Sequence, residues 1–148
     1  MELALPDEAA TARLGQAVAH ALRRGDAVHL SGGLGAGKTT LARAAIRALT
    51  RPDEEAPSPT FTLVQTYEGP EFPVAHFDLY RLEDPDEVRE LGMDEAVDAG
   101  AVLIEWPERL GGERLTPDTL DIELAPDGAA RRARITAHGS WRTREFPI

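Results

Sequence analysis

Apolar and polar positions change period several times along the chain, and each change marks an element. Ala10, Leu14, Ala17/Val18 and Ala21/Leu22 recur at helical spacing. They predict a helix opened by Asp7 as N-cap, with Glu8 in its first turn, running to about Arg24. Its role is packing, and His20 near its end is a surface residue compatible with the helix dipole. Gly25-Asp26 turns the chain into Ala27–Leu30, an apolar run of strand length. Leu41, Ala45, Ala48 and Leu49 then form one face of a second helix. Pro57 and Pro59 hold Ser58 extended. Thr60 leads into a strand, Phe61 to Tyr67, which Glu68-Gly69-Pro70 turns into a second, Phe72 to Tyr80, as a hairpin. In that second strand Pro73, Ala75, Phe77 and Leu79 share one face, and Phe72, Val74, His76, Asp78 and Tyr80 the other.

Asp84-Pro85-Asp86-Glu87 reads as a helix start, with Asp84 as cap and Pro85 at the first helical position, and Gly92 as its end. Met93–Ala99 is a short helix closed by Gly100, followed by Ala101–Ile104, a buried strand ending in Glu105. Leu120, Ile122 and Leu124, then Ala133, Ile135 and Ala137, alternate with polar residues on either side of Asp127-Gly128. This predicts an antiparallel hairpin whose arginines most simply pair across the strands with Asp121 and Glu123; a second reading puts one of them near the nucleotide. Trp141 to Phe146 is expected as an edge strand guarded by Arg142 and Arg144. The alternation of strands and helices predicts a mixed α/β sheet flanked by helices, with antiparallel strands at the C-terminal end, in one domain over residues 1–148.

Between the first strand and the second helix, Gly32 to Thr39 fits G-x-x-x-x-G-K-[ST], the phosphate-binding loop. Glycines let backbone amides turn inward around a phosphate at a helix N-terminus, where unpaired N–H groups and the helix dipole favour negative charge. The fold class is therefore expected to be that of the phosphate-loop NTPases. Lys38 would reach the β- and γ-phosphates and the Thr39 hydroxyl would ligate Mg²⁺. Lys38 is the only lysine of the chain, every other basic side chain except histidine being arginine.

An apolar strand ending in a carboxylate supplies the other half of such a site, because ligands of open α/β sheets lie at the carboxyl ends of strands. Glu105 is placed to hold Mg²⁺ or orient the attacking water. Asp78 is a candidate further acid; the alternating His76 and Asp78 read equally as a hydrogen-bonded pair or as part of a site. Thr60 is either a sensor of the γ-phosphate or the cap of a rigid loop. Trp106 either lines the nucleotide pocket or caps the core.

Composition narrows the partners. Hydrophobic residues make up 42% of 148, enough for an ordinary core. A formal charge of −10 argues against this chain gripping nucleic acid by itself. Cysteine is absent, which excludes disulfides and thiol catalysis. No apolar run approaches a membrane span and no basic-then-apolar leader opens the sequence, so the expected place is the cytoplasm. No N-K-x-D run exists to read guanine, which favours ATP over GTP, and no arginine-rich lid closes on a small acceptor.

GGLGAGKTT, SPTFTLVQTY, HFDLYRLEDPDEVRELGMDE and LIEWPE, in this order and spacing, resemble the bacterial TsaE (YjeE) family over about residues 5 to 137. The resemblance implies a small cytoplasmic ATPase serving the threonylcarbamoyladenosine modification of tRNA beside the anticodon. Its partners would be TsaD and TsaB subunits, whose assembly it resets by hydrolysing ATP; tRNA would be met only indirectly, through that complex. Carried over by position, Gly33, Gly35, Ala36, Gly37, Lys38, Thr39 and Thr40 cradle ATP, Thr39 and Glu105 serve Mg²⁺, and Lys38, Glu105 and Asp78 serve hydrolysis. Thr60 falls in the switch-like SPT segment and Trp106 in the EWP motif. For adenine the residues suggest only Pro6 and Asp7, or Arg131 and Arg132. Two positions depart from the family pattern: Gly33 stands where Asp is common and Gln65 where Glu is common. The other readings are a phosphate-loop kinase of a small molecule, and a nucleotide-regulated binding module with little turnover.

Overall fold

The computed structural model describes residues 1–112 and 114–146. Asp7 caps helix α1 (Glu8–Ala21) by accepting the Ala10 amide at 2.8 Å. Its buried face holds Leu14, Ala17, Val18 and Ala21, as the period requires. Strand β2 (Ala27–Gly32) follows, then helix α2 (Lys38–Leu49). The α2 stripe is rotated from its expected position. Leu41, Ala42, Ala45 and Ile46 are buried, whereas Ala48 is exposed, because the helix lies against both the sheet and α1. Gly15 lets α1 and α2 approach: a Cβ there would run into the Leu41 carbonyl oxygen and lie 2.9 Å from the Ala44 Cβ.

Strands β3 (Val64–Glu68) and β4 (Pro73–Asp78) form the expected hairpin, with a shorter first strand. Leu63 takes a φ of 70° and its amide donates to Pro59 O at 2.6 Å. This turn holds Thr60 to Leu63 out of the ladder and leaves Phe61 80% exposed. The next helix is a single turn, α3 (Glu87–Glu90), entered through successive i→i−3 bonds from Asp84; the Asp84 carboxylate accepts the Asp86 amide at 3.0 Å, the bond expected of a capping residue. Helix α4 (Met93–Ala99), strand β5 (Ala101–Glu105) and a 3₁₀ turn, Pro107–Leu110, follow. The hairpin of β6 (Thr119–Asp127) and β7 (Ala130–Ala137) completes the sheet.

The strand at the N-terminus, β1 (Glu2–Leu5), has no signal of its own in the sequence. It pairs antiparallel with β7 and gives the order β1-β7-β6-β2-β5-β4-β3. The centre is parallel, β2 lying between β5 and β6 and β4 beside β5; both flanks are antiparallel. One face buries Val28, Leu30, Leu103 and Ile122 under α1 and α2. The other packs Ala75, Phe77, Val102 and Ile104 against Val88, Met93 and Val97 of α3 and α4.

Because β1 occupies the edge, Trp141 to Phe146 is not a strand. Gly139–Thr143 is a 3₁₀ turn that buries Trp141, and Arg144 runs inward to Asp26 at 2.6 Å. The cross-strand pairing also differs from expectation. Glu123 faces Arg134 in register, yet Arg134 lies 3.6 Å from Glu2, and Arg132 pairs with Asp127 at 3.0 Å.

Asp121 sits between two histidines, 3.2 Å from His29 Nδ1 and 2.8 Å from His138 Nε2. The hydrogen bond to His29, then the one to His138, hold its pKa below 3.8, against the opposing pull of burial. A lowered carboxylate pKa contributes stability that is present above 3.8 and lost as pH falls through the folded-state value. Asp121→Asn is therefore expected to be less stable than wild type at neutral pH, with the difference shrinking as acid is added. Chemical denaturation at a series of pH values measures this, and a pH-independent difference would refute it.

Candidate functional site

Four chain segments meet at the carboxyl ends of β2, β4 and β5. β2 ends at Gly32 with φ 135°, and Gly37, with φ 102°, caps α2. Only glycine adopts these values without strain. A Cβ on Gly32 would also strike the Leu124 carbonyl oxygen of β6. The loop thus reaches the N-terminus of α2 by a path open to glycine, with the amides of the first helical turn free of intrahelical partners.

Lys38, 5% exposed, donates from Nζ to the carbonyls of Gly32 and Gly33 at 2.6 and 2.7 Å and lies 4.1 Å from the centre of the Trp106 ring. Burial lowers its pKa from the ordinary lysine value, while the charges of Glu105, Glu108 and Asp78 act in the opposite sense. The Thr39 hydroxyl donates to both oxygens of Glu105, at 2.9 and 3.1 Å. Glu105, 2% exposed, is also 2.6 Å from His76 Nε2.

Asp78 stands opposite Glu105 in the parallel β4–β5 register, so two carboxylates close adjacent strand ends. Asp78 Oδ2 accepts from Thr60 Oγ1 at 2.9 Å and from Ser58 Oγ at 3.2 Å; Oδ1 accepts the Tyr80 amide at 3.0 Å. The SPT segment is thereby tied to the end of β4. Trp106 takes a left-handed conformation, φ 61°, which turns its ring under Lys38 and against Tyr80, 4.9 Å between centroids. From the far hairpin, Arg131 crosses to the loop and its Nη2 donates to Gly35 O at 3.2 Å.

These residues enclose a cleft of about 440 Å³ lined by Gly35, Ala36, Gly37, Lys38, Thr39, Thr40, Ser58, Thr60, Asp78, Glu105, Trp106 and Arg131, among others. The set expected from the sequence comes together here with three differences. Asp7 is outside the cleft, its carboxylate engaged on the Ala10 amide. Pro6 lines a separate apolar groove with Leu3 and Leu14, and Arg132 is exposed beside Asp127. Gly33 contributes its carbonyl to Lys38, and a Cβ there would meet nothing within 4 Å, so its departure from Asp is sterically free. Gln65 bonds Thr62 at 3.2 Å.

Ser58 and the pairing of His76 with Glu105 are the contributions that sequence reasoning did not assign, whereas Arg131, one of the residues suggested for adenine, does reach the loop and lines the cleft. For His76 and Asp78 the signal existed, in their shared strand face. They do not bond to each other; one takes Glu105 and the other the SPT hydroxyls.

Chemically, the loop amides and Lys38 fit a phosphate chain. The Thr39 hydroxyl and the Glu105 carboxylate form an oxygen-only donor pair of the kind Mg²⁺ takes together with phosphate oxygens and water. Among the described residues no cluster of three or more His, Cys, Asp or Glu is arranged to hold a metal by protein ligands alone. No helix among them is long and apolar enough to cross a membrane.

Comparison with known proteins gives a consistent picture. A family model described as "Threonylcarbamoyl adenosine biosynthesis protein TsaE" matches residues 5–134. The chain is 41% identical over 145 residues to a "tRNA threonylcarbamoyladenosine biosynthesis protein TsaE" of Rickettsia conorii, covering 97% of this chain and 82% of the relative. To the protein of that name from Aquifex aeolicus it is 36% identical, covering 90% and 94%. The crystal structure of YdiB from Bacillus subtilis superposes with a TM-score of 0.78 at 27% identity, over 96% of this chain and 88% of that one. With the sheet, the phosphate loop and the sequence of relatives from distant bacteria in agreement, the chain belongs to the TsaE family.

Proposed function

We propose that this protein binds and hydrolyses ATP with Mg²⁺ in the threonylcarbamoyladenosine modification of tRNA, and that hydrolysis resets a TsaD–TsaB transferase assembly between turnovers. The observation that carries the nucleotide reading is the hydroxyl–carboxylate pair of Thr39 and Glu105 at the mouth of the phosphate loop. It joins the first turn of α2 to the end of β5, where the metal of a phosphate-loop ATPase is held. The pathway reading rests on the names borne by the relatives. In this reading the loop from Gly33 to Thr40 and Lys38 bind the phosphates, and Thr39 and Glu105 bind Mg²⁺. Thr60 and Asp78 respond to the γ-phosphate, and Trp106 and Arg131 border the nucleotide. Mg²⁺ supplies charge neutralisation on the phosphate oxygens; Glu105 orients the attacking water. A chain of charge −10 meets tRNA through its partners, and its place of work is the cytoplasm.

Asp78→Asn is expected to slow hydrolysis by about 10- to 100-fold, the usual cost of disturbing a group that orients the reacting shell, with the melting temperature little changed. A collapsed melting temperature would make Asp78 a structural acid.

The deciding experiment is ATP hydrolysis by the purified chain, alone and with TsaD-like and TsaB-like subunits and tRNA. Strong stimulation, with many rounds of modification only when Lys38 is intact, is the expected result. Absence of any effect of the partners would overturn the resetting role.

A further inference from the structure

We propose that His76 is a positioning residue that holds the Glu105 carboxylate in its metal-binding orientation; this rests on the Mg²⁺–nucleotide reading above. His76 is fully buried in β4. Its Nε2 is 2.6 Å from Glu105 Oε2, and among the described residues its Nδ1 has no hydrogen-bond partner. A buried nitrogen without a partner costs stability, and such groups persist where they serve a site.

The geometry says what is served. An ionised Glu105 is acceptor-only, so the Nε2 that faces it carries a hydrogen. The imidazole donates to Oε2, and the Thr39 hydroxyl lies 2.9 Å from Oε1 and 3.1 Å from Oε2. Between these two donors the carboxylate is held at the cleft that Glu105 lines, with lone pairs left over for a metal. Without the imidazole, the Lys38 ammonium, which lines the same cleft, becomes a competing partner for Glu105. Lys38 now spends its hydrogens on Gly32 and Gly33. An ion pair between them would occupy both the metal ligand and the phosphate ligand. His76 keeps them apart by taking Oε2 first.

The test compares His76→Leu, which removes the donor, with His76→Gln, whose amide nitrogen places a donor near the position of Nε2. Affinity for ADP and for a non-hydrolysable ATP analogue is measured by calorimetry with Mg²⁺ and with EDTA, beside the melting temperature. Wild type is expected to gain affinity from Mg²⁺. His76→Leu should lose about tenfold or more of that gain while keeping its metal-free affinity, and His76→Gln should keep most of it. In a Glu105→Ala background, His76→Leu should change the gain no further. An unchanged gain in a folded His76→Leu overturns the inference, as does equal damage in His76→Gln, or a further loss in the Glu105→Ala background. A wild type with nucleotide affinity indifferent to Mg²⁺ overturns the metal reading, and this inference with it.

Discussion

Lys38→Ala is expected to lose nucleotide affinity by at least one to two orders of magnitude even without metal, whereas Glu105→Gln keeps its metal-free affinity and loses turnover by about 10²-fold or more. The asymmetry follows from what each side chain touches. Lys38 is the one buried cation at the loop, and its ammonium is 2.6–2.7 Å from the carbonyls of Gly32 and Gly33, poised to exchange them for phosphate oxygens. A charge-assisted hydrogen bond contributes roughly 1.5–3 kcal/mol, which is about one to two powers of ten in affinity. Glutamine at 105 keeps an acceptor for Thr39 and His76 but loses the charge that serves the metal and the attacking water. Calorimetric binding and single-turnover hydrolysis on the two variants separate the effects. Equal loss of metal-free binding in both would remove the catalytic assignment of Glu105.

The largest expected loss of stability lies far from this cleft. Arg144→Ala should destabilise the fold by about 3–5 kcal/mol, the cost of leaving a buried charge without its partner. For a chain of this length that is a fall in melting temperature on the order of 10 °C. Asp26 and Arg144 are 1% and 5% exposed, joined through Nη1–Oδ2 at 2.6 Å and Nη2–Oδ1 at 3.1 Å. The guanidinium also donates to Ala21 O at 3.1 Å and lies 4.3 Å from the centre of the Trp141 ring. This one side chain therefore fastens the C-terminal 3₁₀ turn to the junction of α1 and β2.

Burial raises the pKa of Asp26 above 3.8, more than Arg144 and the Arg23 amide lower it. The folded state thus holds this proton more tightly than the unfolded chain, so stability falls as pH rises from 3.8 through the folded-state value. Removing Arg144 should push that value further up and make the loss larger. Thermal melts of Arg144→Ala between acid and neutral pH measure both effects. Pairing Arg144→Met with Asp26→Leu should recover much of the stability, short of what the Arg23 amide loses with its acceptor at 2.6 Å. A variant as stable as wild type at every pH would show the pair to be dispensable.

Much of the site was legible because its signals are local. Loop glycines, Lys38 and Thr39 are consecutive, and Glu105 ends a strand whose apolar run is continuous. What could not be read was which distant side chain each would meet. His76 and Asp78 share a strand face, but their partners are set by the parallel register of β4 with β5 and by the turn at Leu63. Asp7 was readable as a cap and not as a bystander to the cleft, since its engagement with the Ala10 amide depends on where α1 starts. Arg131 reaches Gly35 only because β7 lies beyond β6 on the far side of the loop.

By itself the sequence determined helices α1, α2 and α4, the central strands, the phosphate loop and the family, since periodicity, turn chemistry and motif spacing act within a few residues of themselves. The tertiary structure decided the edges and the pairings. Trp141 to Phe146 carries aromatic and charged residues that suit an edge strand, yet β1 takes that edge by pairing with β7, and Arg144 is drawn inward to Asp26. Asp121 carries a charge that arginine would satisfy, and it lies instead between His29 and His138. Each outcome depends on which strand becomes a neighbour across the sheet. That is a competition among contacts distant in sequence, which no local pattern encodes.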